Sequence, residues 1–215
     1  MSDLVLKYNF SESSKNQSAR ALMVFAHGAG ADLNSDFMND FTVLLNEMGC
    51  DVVRFNFPYM VKRQHDGKRR PPDRMPILLA SFKQVLTQLS VNIPVFLIGK
   101  SMGGRVAATL VEDKDIDVSG VICLGYPFHP HKKPESLRLQ PLQNTAKPVL
   151  IIQGERDSLG SKVEIKKYDI ADLCQVIYLR DGDHHLKPRI KSGYTQQQHL
   201  STAIDQISRF IDEVS

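Results

Sequence analysis

Apolar positions along this chain follow two alternating rhythms. Short continuous runs at residues 22–26, 51–57, 95–98, 120–125, 148–152 and 175–179 read as buried strands. Between them lie helical spacings. Phe37, Phe41, Leu44, Leu45 and Met48 share one helix face that Gly49 ends, and Leu78, Phe82, Val85, Leu86 and Leu89 share a second. Residues 162–170 predict a short helix, and Leu200, Ile204, Ile207 and Ile211 mark a closing one. Residues 4–10 alternate loosely, as an edge strand does, and residues 11–20 are polar enough to read as a turn or loop. Pro58 opens a further loop that Pro71 and Pro72 keep non-helical. Residues 126–145 hold four prolines and no period, which predicts a long surface loop or a small lid. Strands that are apolar throughout and alternate with helices require burial on both faces. The expected fold class is therefore α/β: a mostly parallel central sheet flanked by helices on both faces.

A length of 215 residues suits one domain spanning 1–215. No apolar run approaches the ~18 residues of a membrane span, and the first twenty residues lack the apolar stretch of a signal peptide. The three cysteines, Cys50, Cys123 and Cys174, are too few and too scattered for a disulfide framework, so a cytoplasmic protein is expected. The net charge of +3 is uneven. Residues 62–74 carry six basic and two acidic side chains, which leaves the rest of the chain at −1. One basic segment on a near-neutral protein is not the broad basic face of a nucleic-acid binder. Neither a nucleic-acid nor a membrane partner is expected.

The candidate chemistry lies where strands end, which is where sites form in such sheets. Gly99-Lys100-Ser101-Met102-Gly103 reads G-x-S-x-G at the junction of a strand and a small-residue helix. That is the setting of a nucleophile elbow, with Ser101 on a sharp turn and a helix N-terminus aimed at it. A serine hydroxyl needs a base, and the base needs an orienting acid. In the chain order expected of such a sheet, Asp157 follows one later strand and is the acid, with Glu155 as runner-up. The His184-His185 pair follows the last strand, and the residues alone leave open which of the two is the base. The amides of Met102 and of Ala29, in the His27-Gly28-Ala29-Gly30 loop, are the candidate oxyanion donors. Two adjacent histidines without a further ligand at metal spacing predict no metal, and no cofactor motif stands out.

With these residues in this order, the chain resembles the alpha/beta-hydrolase superfamily over nearly its whole length. It is similar to the small, nearly lidless proteins grouped with dienelactone hydrolase, and more narrowly to the Tex30-like group. The residues that carry this are His27-Gly28-Ala29-Gly30-Ala31, Arg54-Phe55-Asn56-Phe57-Pro58-Tyr59, Arg69-Arg70-Pro71-Pro72-Asp73, the elbow with Gly104, and Gly182-Asp183-His184. The resemblance implies an alpha/beta-hydrolase fold with minimal or no lid, and it favours His184 as base. It implies a serine hydrolase, carboxylesterase-like or thioesterase-like, acting on a small acyl substrate. Dienelactone hydrolase proper uses a cysteine where this chain has Ser101. The basic segment would suit an acidic leaving group or a phosphate-bearing carrier, with Arg69 and Arg70 as its cations. The other class of reading is a hydrolase-fold binding or scaffold protein whose site is unused.

Overall fold

The computed structural model describes residues 5–16 and 18–214. In chain order the elements are β1 (Leu6–Asn9), α1 (Glu12–Asn16), β2 (Leu22–Ala26), α2 (Asp36–Glu47), β3 (Asp51–Phe55), α3 (Pro58–Asp66) and α4 (Met75–Thr87). They continue with β4 (Val95–Lys100), α5 (Met102–Leu110), β5 (Gly120–Leu124), α6 (Gln140–Gln143), β6 (Val149–Gly154), α7 (Lys162–Ile165), β7 (Cys174–Leu179) and α8 (Gln196–Val214). One seven-stranded sheet runs β1-β3-β2-β4-β5-β6-β7. Every neighbouring pair is parallel except β1 with β3, so the antiparallel strand is an edge. The edge strand expected from residue 4 onward begins outside the described residues at its first position.

Strand alternation splits the core into two layers. Val24, Ala26, Leu97, Val121, Cys123 and Ile151 pack on one face beneath α4 and α5. Met23, Phe25, Ile98, Ile122, Leu150 and Ile152 pack on the other, beneath α2 and α8. Both layers are dry, which is why the central strands carry no polar alternation. Phe25, Phe41, Phe55, Phe82 and Phe96 are wholly buried. Each contributes about 1.5–3 kcal/mol of burial. No helix among the described residues is long and apolar enough to cross a membrane.

Two segments expected as loops are helical. Residues 58–66 form α3 rather than opening a loop. Pro58 sits in its first turn, where a missing N–H costs nothing, and Gly67 closes it at φ 69°. Residues 12–16 form the single turn α1. The helix expected over 162–170 is only the four residues of α7. Ser161 caps it, and Glu164 completes a capping box. The 126–145 segment is mostly irregular and only partly at the surface. Tyr126, Phe128 and Leu142 are fully buried, and the segment forms a wall beside the sheet end, not a lid over it.

Candidate active site

At the C-terminal end of β4 the chain turns directly into α5, and Ser101 takes the turn at φ 52°, ψ −112°. A non-glycine residue there is strained, so the surroundings must hold it. They do so by close approach. A Cβ on Gly99 would collide with the backbone of Gly103 and Gly104, and one on Gly103 would collide with the carbonyl end of β2 at Ala26. Two glycines of the motif are thus required by contact. The Ser101 amide donates to the Leu124 carbonyl at 3.0 Å, and its own carbonyl accepts from Arg105 at 3.1 Å.

Three of the expected residues meet here. The His184 Nε2 lies 2.8 Å from the Ser101 Oγ. The His184 Nδ1 lies 2.8 Å from the Asp157 Oδ2. Asp157 is wholly buried after β6, yet its carboxylate is fully served. Gln153 Nε2 donates to Oδ2 at 3.0 Å, and the Leu159 amide donates to Oδ1 at 2.8 Å. An ionised carboxylate is tolerable without water only when so bonded. Glu155 points elsewhere, pairing with Lys162 at 2.7 Å. The ring at Ser101 is that of His184. His185 lies beside it, ring centroids 5.8 Å apart, with its amide donating to Asp183. Burial, then the charges of Lys100 and His184, push the His185 imidazole below its ordinary value.

The loop after β2 is tied down through its carbonyls. His27 is completely buried, and its Nδ1–H donates to the Gly28 carbonyl at 2.8 Å while Nε2 accepts the Phe57 amide at 3.1 Å. Burial holds its pKa down at about 4, so the ring is neutral. The Gly28 carbonyl and the Ala29 N–H belong to one planar peptide and point opposite ways. His27 therefore aims the Ala29 amide. Tyr59 Oη donates to the Ala29 carbonyl at 2.9 Å from the far side. Among the described residues, neither the Ala29 amide nor the Met102 amide has a hydrogen-bond partner.

Two hollows meet at Ser101 and Ala29. A cleft of about 390 Å³ runs toward Arg105, Arg138 and the proline-rich wall. A second, of about 510 Å³, runs toward Phe37, Lys100 and His185. A larger groove of about 1000 Å³ lies between α2 and α8 and includes neither Ser101 nor His184. The basic segment sends no cation to either hollow at Ser101. Arg69 is exposed, and Arg70 pairs with Asp66 at 2.6 Å. No group of three metal-binding side chains occurs among the described residues.

Lys100 escaped the sequence reading because it occupies a variable position of the motif. It is almost wholly buried, and its Nζ donates to the His184 carbonyl at 2.5 Å. Burial pushes its pKa down to about 8. Gly125, at φ 69°, leaves the space: a Cβ there would lie 2.9 Å from Nζ.

A parallel sheet with this strand order and a strained serine between β4 and α5 defines a protein of the alpha/beta-hydrolase class. A model of the alpha/beta hydrolase domain matches residues 19–212, and the chain belongs to that family. The family supports a hydrolase. Among solved structures, dienelactone hydrolase from Anabaena variabilis is similar at TM-score 0.72 and 16% identity, over 98% of this chain and 92% of that one. XC6422 from Xanthomonas campestris, an α/β serine hydrolase without a lid, is similar at TM-score 0.72 and 15% identity, over 96% and 89%. Est1E from Butyrivibrio proteoclasticus, bound to ferulic acid, is similar at TM-score 0.66 and 15% identity, over 98% and 95%. At such identities the likeness is one of fold.

Proposed function

We propose that this protein is a serine hydrolase that cleaves a small carboxylic ester or thioester through an acyl-enzyme. Ser101 Oγ attacks the acyl carbonyl while His184 Nε2 takes its proton. Asp157 holds the Nδ1–H and stabilises the imidazolium that forms. The Ala29 and Met102 amides receive the oxyanion. As the tetrahedral intermediate collapses, the C–O or C–S bond breaks and the proton on Nε2 passes to the leaving group. Water, deprotonated by His184, then attacks the acyl-serine; the bond from the acyl carbon to Oγ breaks, the proton on Nε2 returns to Ser101 Oγ, and a carboxylic acid is released. The observation that carries this reading is the unbroken relay from Asp157 through His184 to Ser101, with 2.8 Å at each link. The meeting of two hollows at Ser101 supports it, because acyl and leaving groups need separate room. The cleft volume of about 390 Å³ favours a small substrate.

The test is a fluorophosphonate probe followed by intact mass. The expected result is one adduct on the native protein and none on Ser101→Ala. Absence of labelling on native protein sinks the proposal and leaves the unused-site scaffold in its place.

A further inference from the structure

The cleft beside Ser101 holds two cations that nothing neutralises. Arg105 lies one turn along α5 from Ser101, and Arg138 comes from the proline-rich segment; both line the cleft. Among the described residues, neither guanidinium makes a hydrogen bond or an ion pair. The Arg105 Nε is sealed from water and has no partner. The Arg54 Nε is unpartnered as well, but the guanidinium groups of Arg54 and Arg156 are each anchored by other hydrogen bonds. Arg54 donates to the Leu33 carbonyl and to Asn39 and Asn9, and Arg156 donates to the Asp181 and Lys187 carbonyls. Asp73 also lines the cleft, but its Oδ2 accepts the Tyr59 amide at 2.8 Å and it pairs with neither arginine. Burial and the Arg105 charge both hold Arg138 below the ordinary arginine range, so the two cations sense each other.

Half-buried like charges without partners cost free energy through desolvation and mutual repulsion. That cost is removed when an anion sits between them. Guanidinium forks match carboxylate and phosphate oxygens in pairs, which a lysine does not do. We propose that the substrate carries an anionic group, a carboxylate or a phosphate, that Arg105 and Arg138 bind while Ser101 attacks a carbonyl of the same molecule. The remaining wall includes Met75, Leu78, Pro127 and Leu159, which suits a short alkyl spacer between the anion and the scissile bond. The inference rests on the serine-hydrolase reading and adds the substrate class to it.

The experiment compares matched pairs on the full chain. p-Nitrophenyl hydrogen glutarate against p-nitrophenyl pentanoate places a carboxylate on the acyl side. S-Acetyl-4'-phosphopantetheine against S-acetylpantetheine places a phosphate on the leaving side. The expected result is a kcat/KM preference of about 10- to 100-fold for the anionic member of one pair, which also says which side carries the anion. Arg138→Gln, on an irregular segment, and Arg105→Gln should each bring that ratio toward unity. Arg105→Lys should restore only part of it, since charge returns without the fork. Fluorophosphonate labelling separates the two failures. A native protein that is not labelled overturns both the hydrolase reading and this one. A labelled protein with equal kcat/KM within both pairs overturns this one alone, as does a preference that survives both glutamine variants.

Discussion

Asp157 and Arg138 both bring charge from an irregular segment to the end of the sheet, yet they are held in opposite ways. The Asp157 carboxylate is wholly buried and takes hydrogen bonds from Gln153, Leu159 and His184. The Arg138 guanidinium is partly exposed and donates none. The same contrast holds between His27, with both ring nitrogens engaged, and Arg105, whose Nε is orphaned. The side chains of the proposed proton relay, and the His27 ring that aims the Ala29 amide, are complete before any ligand arrives. Groups assigned to recognition are incomplete until one does. Preorganised dipoles need no rearrangement as charge develops, whereas a ligand site gains affinity from groups that were unsatisfied without it.

The largest effects should come from breaking the complete side. Ser101→Ala or His184→Ala should lower kcat by about a millionfold, and Asp157→Asn by about ten-thousandfold, in single-turnover ester cleavage. A loss in Asp157→Asn of less than about tenfold would separate Asp157 from the mechanism. Next comes His27, which touches no reacting atom. His27→Ala frees the Gly28–Ala29 peptide to rotate and should cost about 100- to 1000-fold in kcat with little change in KM. An equal fall in kcat for a variant that keeps the hydrogen bonds, His27→Gln, would point to packing rather than to aim.

Much of this was legible in the sequence, and the exceptions have physical causes. Continuous apolar strands place the sheet and the chain order of Ser101, Asp157 and His184, because a parallel strand must be dry on both faces. α3 was hidden because proline normally breaks helices, and only its position in the first turn reverses that meaning. It buries just Tyr59 and Met60, too little apolar surface to print a period. The basic run of residues 62–74 drew attention to Arg69 and Arg70, but pairing with Asp66 occupies Arg70 on the surface. Arg105 and Arg138 are separated along the chain, one within a helix and one among prolines, and no spacing rule links them. The difference between a paired and an unpaired cation is a property of three-dimensional surroundings.

His27 also gives the comparison a pH dependence. Its ring is ordinarily protonated below about 6.5, but burial lowers that to about 4 in the fold. Above that window the ring is neutral folded and unfolded, and its contribution is complete. As pH falls through the window, the unfolded chain takes up a proton that the folded ring refuses, so stability is lost. The loss amounts to about 3 kcal/mol by about pH 4. Urea midpoints at about pH 7 and about pH 4.5 should diverge more for the native chain than for His27→Gln. Equal divergence would mean that the ring is not held neutral.

Lys100 tests whether the complete side tolerates the loss of one support. Its Nζ holds the carbonyl of His184 and not the ring. Lys100→Met keeps the stem and removes the donor, so kcat should fall by about 10-fold while labelling of Ser101 slows in proportion. Unchanged labelling with lower turnover would place Lys100 at product release rather than at the base.

The smallest effect sharpens the contrast most. Arg70 is as cationic as Arg138 and lies near Asp73 in sequence, but it is paired with Asp66 and lies outside the cleft. Were overall positive charge enough to attract an anionic substrate, removing Arg70 would matter as much as removing Arg138. Through water and salt the Arg70 charge is screened, and no fork geometry reaches the cleft. Arg70→Met should therefore leave the anionic-to-neutral kcat/KM ratio within about twofold of native in 150 mM salt. The Arg138→Gln ratio, measured beside it, should fall toward unity. A parallel drop in both variants would make the preference a long-range field of the basic segment, and it would then weaken with added salt in the native protein as well.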